Sequence, residues 1–328
     1  MKKFLLLIFF ATSVCLSSFG QLKWQNVDSL YQPLPAGVHI YFTDNPIDTA
    51  PFRAYYFIAD IKDKRLEFTT DTSRDRRLTP SVFYQRNNKP LLVVNCTFFS
   101  YETNRSLNTV IMDGKMVAYN QHTIAGRGKD TFTYRHPFLS ALGIRKDRTA
   151  DVAWLYTDPS YKKAFAIEKA IAPIKDSSVS ISSKKVFRYW FSNPGASYRG
   201  SIKHAKWKME TAVGGGPVLL QNGEIAISNN EELKFAGKAI GDKHPRTAMG
   251  YTKDYKLIIL VIEGRNKVAH GATLIQEAQI FKELGCVEAL NLDGGGSSCM
   301  LVNGKETIKI SDAAGQRSVP AVFLIKQR

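Results

Sequence analysis

Within residues 288–300, which read EALNLDGGGSSCM, one carboxylate is followed by three glycines and two serines. Asp293 would sit at the end of a short buried strand carrying Ala289, Leu290 and Leu292. Without Cβ atoms, Gly294, Gly295 and Gly296 take positive φ readily and let backbone N–H groups come close to a ligand. Ser297 and Ser298 add two hydroxyls. Such a set suits an anionic or sugar ligand. The plain alternative is a tight turn capped by an Asx-type bond from Asp293.

Three further strand ends carry polar groups. Asn95 and Thr97 follow the apolar run LLVV, His244 and Arg246 precede AMGY, and Glu263 and Arg265 close residues 257–262. Each alone reads as a turn former, a surface charge or an exposed ion pair. Recurring beside DGGG, they argue for strand ends gathered at one edge of a sheet.

The elements that would hold these ends are mostly strands. Residues 38–42 alternate like an edge strand, residues 54–61 read as a strand, and residues 91–94 as a buried one. Asp113-Gly114, Asn222-Gly223 and Asn303-Gly304 each sit between apolar runs, the pattern of a two-residue hairpin turn. Residues 140–147 and 247–254 echo each other as a strand, a Lys-Asp turn and a further strand, either an internal duplication or two similar hairpins. The best helix spans residues 273–284. Thr273 with Gln276 resembles a capping box, Leu274, Ala278 and Phe281 share a face, and Gly285 ends it. Residues 161–172 read as a short helix, and 71–77 as a charged surface loop. The fold class expected is α+β, a sheet-rich mixed core with hairpins and at least one long amphipathic helix.

Residues 1–20 have the form of a cleaved secretory signal: Lys2 and Lys3, an apolar run from Phe4 to Phe10, and small residues before Gln21. The run is too short to span a bilayer permanently. Val14 before Cys15 fits a lipidation site poorly. The expectation is therefore a periplasmic or secreted protein with no integral membrane segment, and one domain over residues 21–328. Cleavage lowers the formal charge from +16 to +14. That balance points to anionic glycans, phosphates or membrane surfaces, and the compartment disfavours nucleic acid. Cys96, Cys286 and Cys299 lie in apolar settings and read as free thiols. A basic, aromatic stretch around Arg188, Tyr189, Tyr198, Arg199, Lys203, His204, Lys206 and Trp207 could stack a sugar, or be solvated strands.

Taken in order, NCTFF (95–99), ALGIRKD (141–147), AVGGGPVLLQNGE (212–224), HPRTAMGYTKD (244–254), EGR (263–265), LNLDGGGSSCM (290–300) and RSVP (317–320) resemble the phosphodiester glycosidase family. LNLDGGGSS and PRTAMG are the specific segments. Glu263 stands where an aspartate is frequent in that family, and residues 157–210 match no segment of it. The resemblance implies hydrolysis of a sugar-1-phosphodiester, such as N-acetylglucosamine linked to a phosphorylated glycan, and bacterial members are exopolysaccharide-related. A phosphate monoester leaves as a stable anion and needs little protonation, unlike the alkoxide for which ordinary glycosidases supply a general acid.

On that reading Arg246 binds phosphate bidentately, with Arg265 and His244 in support. Asp293 and Glu263 form a carboxylate pair, one acting as nucleophile or base. Asn95, Thr97, Gly294 to Ser298 and Arg317 position the substrate. No cofactor is required by the sequence. Two alternatives stand beside it: metal-assisted phosphodiester hydrolysis with a divalent cation such as calcium on the carboxylates, and a non-catalytic protein of the same fold that binds anionic glycans.

Overall fold

The computed structural model describes residues 21–126, 131–160, 162–175, 177–181, 186–193 and 196–328. The expected signal, residues 1–20, lies outside them, as do the side chains of Arg188, Tyr189, Tyr198 and Arg199 in the basic, aromatic stretch. Among the described residues no helix is long and apolar enough to cross a membrane.

Three antiparallel sheets form the body. The largest has eight strands in the order Gln25–Asn26, His39–Thr43, Ala54–Asp60, Lys256–Ile262, Arg246–Thr252, Cys286–Asn291, Val218–Gln221 and Glu224–Ile225. A seven-stranded sheet centres on Ala150–Asp158, Leu139–Ile144 and Thr211–Gly214. A five-stranded sheet runs Lys305–Glu306, Met300–Val302, Leu92–Asn95, Ala321–Gln327 and Leu66–Thr72. Side chains alternate between the faces of a strand, and the sequence uses both faces. Met249, Ile259, Val261 and Leu290 of the first sheet meet Val94, Phe323, Leu142 and Trp154 of the other two in one cluster. Ala248, Ile258, Leu260 and Ala289 face the other way, against the helix Leu274–Glu283. Burying each large aliphatic or aromatic side chain contributes about 1.5–3 kcal/mol.

That helix begins as its sequence predicts. Thr273 accepts from the Gln276 amide while the Gln276 side chain accepts from the Thr273 amide, closing the capping box. It has ten residues, however, so the long helix expected is one of ordinary length. The three hairpins form at their expected turns, with both central residues at positive φ: Asp113 and Gly114, Asn222 and Gly223, Asn303 and Gly304. The two echoing segments lie in hairpins of different sheets. Cys96, Cys286 and Cys299 are buried and free.

The helix expected over 161–172 is instead a strand, Lys163–Ile167. Pairing with Ala150–Asp158 on one side and Ala205–Trp207 on the other overrides its local preference. Asp71 and Thr72, expected in a loop, end the strand Leu66–Thr72.

Candidate functional site

Two neighbouring strands of the large sheet and one strand of the five-stranded sheet converge here. Arg246 opens one strand, and Asp293 lies two residues beyond Cys286–Asn291, which pairs antiparallel with it. The third is Leu92–Asn95. Its last residue is fully buried, and its side-chain amide is used at both ends. Asn95 Nδ2 donates to the Asp293 carbonyl at 2.5 Å, while Oδ1 accepts from Thr247 Oγ1 at 2.9 Å and the Cys299 amide at 3.0 Å. The Asp293 amide donates to the Cys96 carbonyl at 2.8 Å. Asn95, expected to touch substrate, thus clamps the Asp293 backbone from beneath. Thr97 is also buried and bonds to Ser106.

Above this clamp lies a cavity of about 210 Å³ walled by Phe98, Phe235, His244, Arg246, Arg265, Asp293, Gly294, Gly295, Gly296 and Arg317. Among the described residues Asp293 is its one acidic group, facing three arginines. Burial pushes the Asp293 carboxyl up to about 7, against the opposing influence of Ser297, Arg317, the Gly294 amide and Lys234. The group therefore exchanges its proton near neutrality.

The glycines also give room to the arginines. Three amides of the turn bond within the protein: Gly295 donates to the Pro245 carbonyl, Ser297 to that of Gly294 and Ser298 to that of Gly295. What the missing Cβ atoms permit is close approach of guanidinium groups. A Cβ on Gly296 would stand 2.2 Å from Arg317 Nη2, and one on Gly295, at φ +60°, would stand 3.2 Å from Arg265 Nη2. The turn is a floor on which these guanidinium groups rest. Ser297 and Ser298 are buried below it; the Ser297 hydroxyl favours the ionised Asp293 carboxyl, and that of Ser298 has no hydrogen-bond partner among the described residues.

Arg246 and Arg317 are held from outside the cavity, and Arg265 leans on one of its walls. Arg246, 2% exposed, donates from Nε to the Ala272 carbonyl at 3.0 Å and from Nη2 to that of Asp242 at 3.3 Å, and lies over the Phe235 ring. Arg317 pairs with Asp312 at 2.8 Å. Arg265, exposed and at φ +63°, approaches His244 Nδ1 at 3.4 Å. Burial, then repulsion from Arg246 and Arg265, lowers the His244 pKa and so favours the neutral ring. Behind Arg246, Glu277 is fully buried with neither carboxyl oxygen hydrogen-bonded among the described residues. Burial raises it to about 8, the Arg246 charge opposing, so it is mostly protonated at pH 7 and the cavity keeps its positive balance.

Glu263 does not join Asp293. Ile262 is the cross-strand partner of Arg246 and packs on the helix face of the sheet. The next residue projects to the opposite face, since a strand alternates. There Glu263 Oε1 accepts from Asn266 Nδ2 at 3.0 Å and Oε2 from the Lys309 amide at 3.1 Å, with Arg53 4.0 Å away. The carboxylate pair expected from the sequence is replaced by one carboxylate in the cavity and one anchoring a loop. Among the described residues no cluster of three or more His, Cys, Asp or Glu side chains is placed to hold a metal ion.

Three residues of the site were missed. Phe98 and Phe235 meet edge to face at 6.1 Å, and Lys234 lies over Phe98 with Nζ 4.4 Å from the ring centre. Burial lowers the Lys234 pKa to about 8, with Glu232 and Asp293 drawing it back up. Phe98 stood within the quoted NCTFF, whereas Lys234 and Phe235 come from a loop that carries no motif. Glu232 anchors that loop: it is fully buried and accepts from Ser140, Trp154, Val218 and Ser228.

The family described as phosphodiester glycosidase matches residues 88–326. An uncharacterized prophage-derived protein of Bacillus subtilis is 43% identical over 70 residues, 21% of this chain and 11% of that protein. The N-acetylglucosamine-1-phosphodiester alpha-N-acetylglucosaminidase of Mus musculus is 29% identical over 94 residues, 26% of this chain and 18% of the enzyme. The matched stretches thus cover under a fifth of either relative. Among solved structures, the catalytic domain of the zebrafish enzyme of that name superposes with a TM-score of 0.60 at 20% identity, over 90% of this chain and 85% of that one. A hypothetical protein from Synechocystis gives 0.59 at 15% identity, over 94% and 64%. At these identities the structural likeness concerns the fold.

Proposed function

Since the chain belongs to the phosphodiester glycosidase family, we propose that it hydrolyses a sugar-1-phosphodiester in a glycan or exopolysaccharide. The observation that carries this is the pairing of one carboxyl, held near pKa 7, with three arginines in one cavity. The arginines, Arg246, Arg265 and Arg317, suit the phosphodiester anion, since planar guanidinium groups match its oxygens bidentately. Phe98 and Phe235 give the sugar an apolar wall.

Asp293, ionised, accepts a proton from water as that oxygen attacks the anomeric carbon. The bond from that carbon to the phosphate oxygen breaks, and the leaving phosphate monoester takes the electron pair as a second negative charge. The arginines stabilise that charge where it develops. No second carboxylate is needed, because the leaving group is already a weak base, and this agrees with Glu263 lying on the other face. A base whose pKa is near the working pH is well matched to its task. Lys234, beside Asp293, favours its ionised form.

The same proposal places the protein outside the cytoplasm as one domain from residue 21, on the strength of its signal-like first twenty residues. Amino-terminal sequencing of the exported protein checks this, with Gln21 as the expected first residue.

The activity is tested by release of free sugar from UDP-N-acetylglucosamine or methylphospho-N-acetylglucosamine. Asp293→Asn should lower kcat about 10³-fold, within the range for a general base, with the fold retained by circular dichroism. Absence of turnover on any sugar-1-phosphodiester, with glycan binding retained, would overturn the proposal in favour of a binding protein.

A further inference from the structure

The loop from Phe98 to Ser106 walls two hollows. Phe98 lines the Asp293 cavity, and Ser106, bonded to Thr97 at 3.0 Å, lines a second cavity of about 520 Å³. The same loop carries Tyr101, 60% exposed, with two guanidinium groups near its ring: Arg317 of the Asp293 cavity at 6.0 Å and Arg77 at 4.8 Å from the ring centre. Arg77 also lies 5.4 Å from the Phe99 ring.

Beyond Arg77 the surface stays basic. Arg74 and Arg105 line the second cavity, and Arg74, Arg76 and Arg86 line a third of about 510 Å³ that shares Thr72, Arg74 and Met112 with it. Arg86 and Arg105 are neutralised by Asp71 at 2.8 Å and Asp75 at 2.6 Å. Arg74, Arg76 and Arg77 have no carboxylate partner among the described residues. Arg317 has its Asp312 partner, but Arg74 and Arg77 have none among the described residues, and the exposed Tyr101 ring lies near both Arg77 and Arg317. Basic side chains that continue from the proposed catalytic cavity past an exposed aromatic ring have the form of a binding track.

We propose that the strip Tyr101–Arg77–Arg74, which starts beside Arg317, is a subsite for an anionic glycan chain extending past the scissile bond, its charges being phosphate or carboxylate. Tyr101 offers a face for a sugar ring, and the guanidinium groups match planar or tetrahedral anions bidentately. A single sugar on a small phosphoalkyl group would not reach it, whereas a chain charged at each repeat would. The inference rests on the activity proposed above and names the substrate class for that same site.

The test compares methylphospho-N-acetylglucosamine with a tetramer of N-acetylglucosamine units joined by 1-phosphodiesters, in the full chain and in Arg74→Ala/Arg77→Ala and Tyr101→Ala. The wild type should prefer the tetramer by about tenfold or more in kcat/KM, through KM, and the preference should shrink as salt screens the strip. The double variant should lose most of that preference and still turn over the monomer within about twofold, which also shows that it folds. A neutral N-acetylglucosamine tetramer with one terminal phosphodiester should gain nothing from the arginines, and a uronate-bearing tetramer with one such linkage distinguishes carboxylate from phosphate recognition. Equal kcat/KM for monomer and charged tetramers, unchanged in the variants, would overturn the subsite while leaving the activity standing. Failure to cleave the monomer would instead strike the activity itself.

Discussion

Asp293 and Glu263 follow strands on either side of Arg246–Thr252 and come at the same edge of one sheet, yet the protein uses them differently. The Asp293 side chain opens on an arginine-lined cavity, and burial lifts its pKa to about 7. The Glu263 side chain points to the other face, where both oxygens are occupied by donors from its own loop and from Lys309. A carboxylate bonded at both oxygens by its own loop and a neighbouring amide is a brace, and one buried beside an arginine-lined cavity with its pKa raised to about 7 is a reagent. Proximity to the motif says little until the hydrogen bonds are counted.

The contrast can be broken from either side. The largest effect after loss of Asp293 itself is expected at Arg246→Lys, which keeps the charge that faces Glu277 but loses the planar fork. kcat/KM on methylphospho-N-acetylglucosamine should fall about 10²-fold, since interactions with a developing anion are each worth that much. A fall of less than about threefold would remove Arg246 from the phosphate site. Gly296→Ala comes next. Its methyl would occupy the position of the Arg317 guanidinium, the flexible end of a side chain, so the fold should survive while Arg317 shifts. KM should rise about tenfold with Tm nearly unchanged, on the basis of one weakened charge-assisted contact. Glu263→Gln should have the least effect on rate, within about threefold. Replacing one acceptor by a donor opposite Asn266 or the Lys309 amide should instead cost about 1–3 kcal/mol of stability, read as a Tm lower by a few degrees.

Much of the site was legible because a motif encodes local geometry. DGGG, HPR, EGR and RSVP led to Asp293, His244, Arg246, Arg265, the three glycines and Arg317, which do line one cavity. What sequence alone could not settle is which face each side chain takes. The face of Glu263 follows only once Ile262 is known to lie opposite Arg246, and that register is a tertiary fact. The role of Asn95 likewise depends on Asp293, Thr247 and Cys299, none of them near in sequence. Lys234 and Phe235 were invisible because a loop held by a buried Glu232 delivers them, without pattern or periodicity to mark it. The hairpins were read correctly because Asp-Gly and Asn-Gly turns are set by the local demand for positive φ. The strand Lys163–Ile167 was misread because its partners, and not its own residues, decide its shape.

The pH dependence of kcat/KM, measured in wild type and in Glu263→Gln, tests most directly the claim that Asp293 alone is the reacting carboxylate. The base must be ionised to act, and its folded pKa is raised, so activity should rise with pH through an apparent pKa near 7 and level off above it. Glu263→Gln should leave that limb where it is. A limb near pH 4, or one that the Glu263→Gln substitution moves or abolishes, would contradict the account.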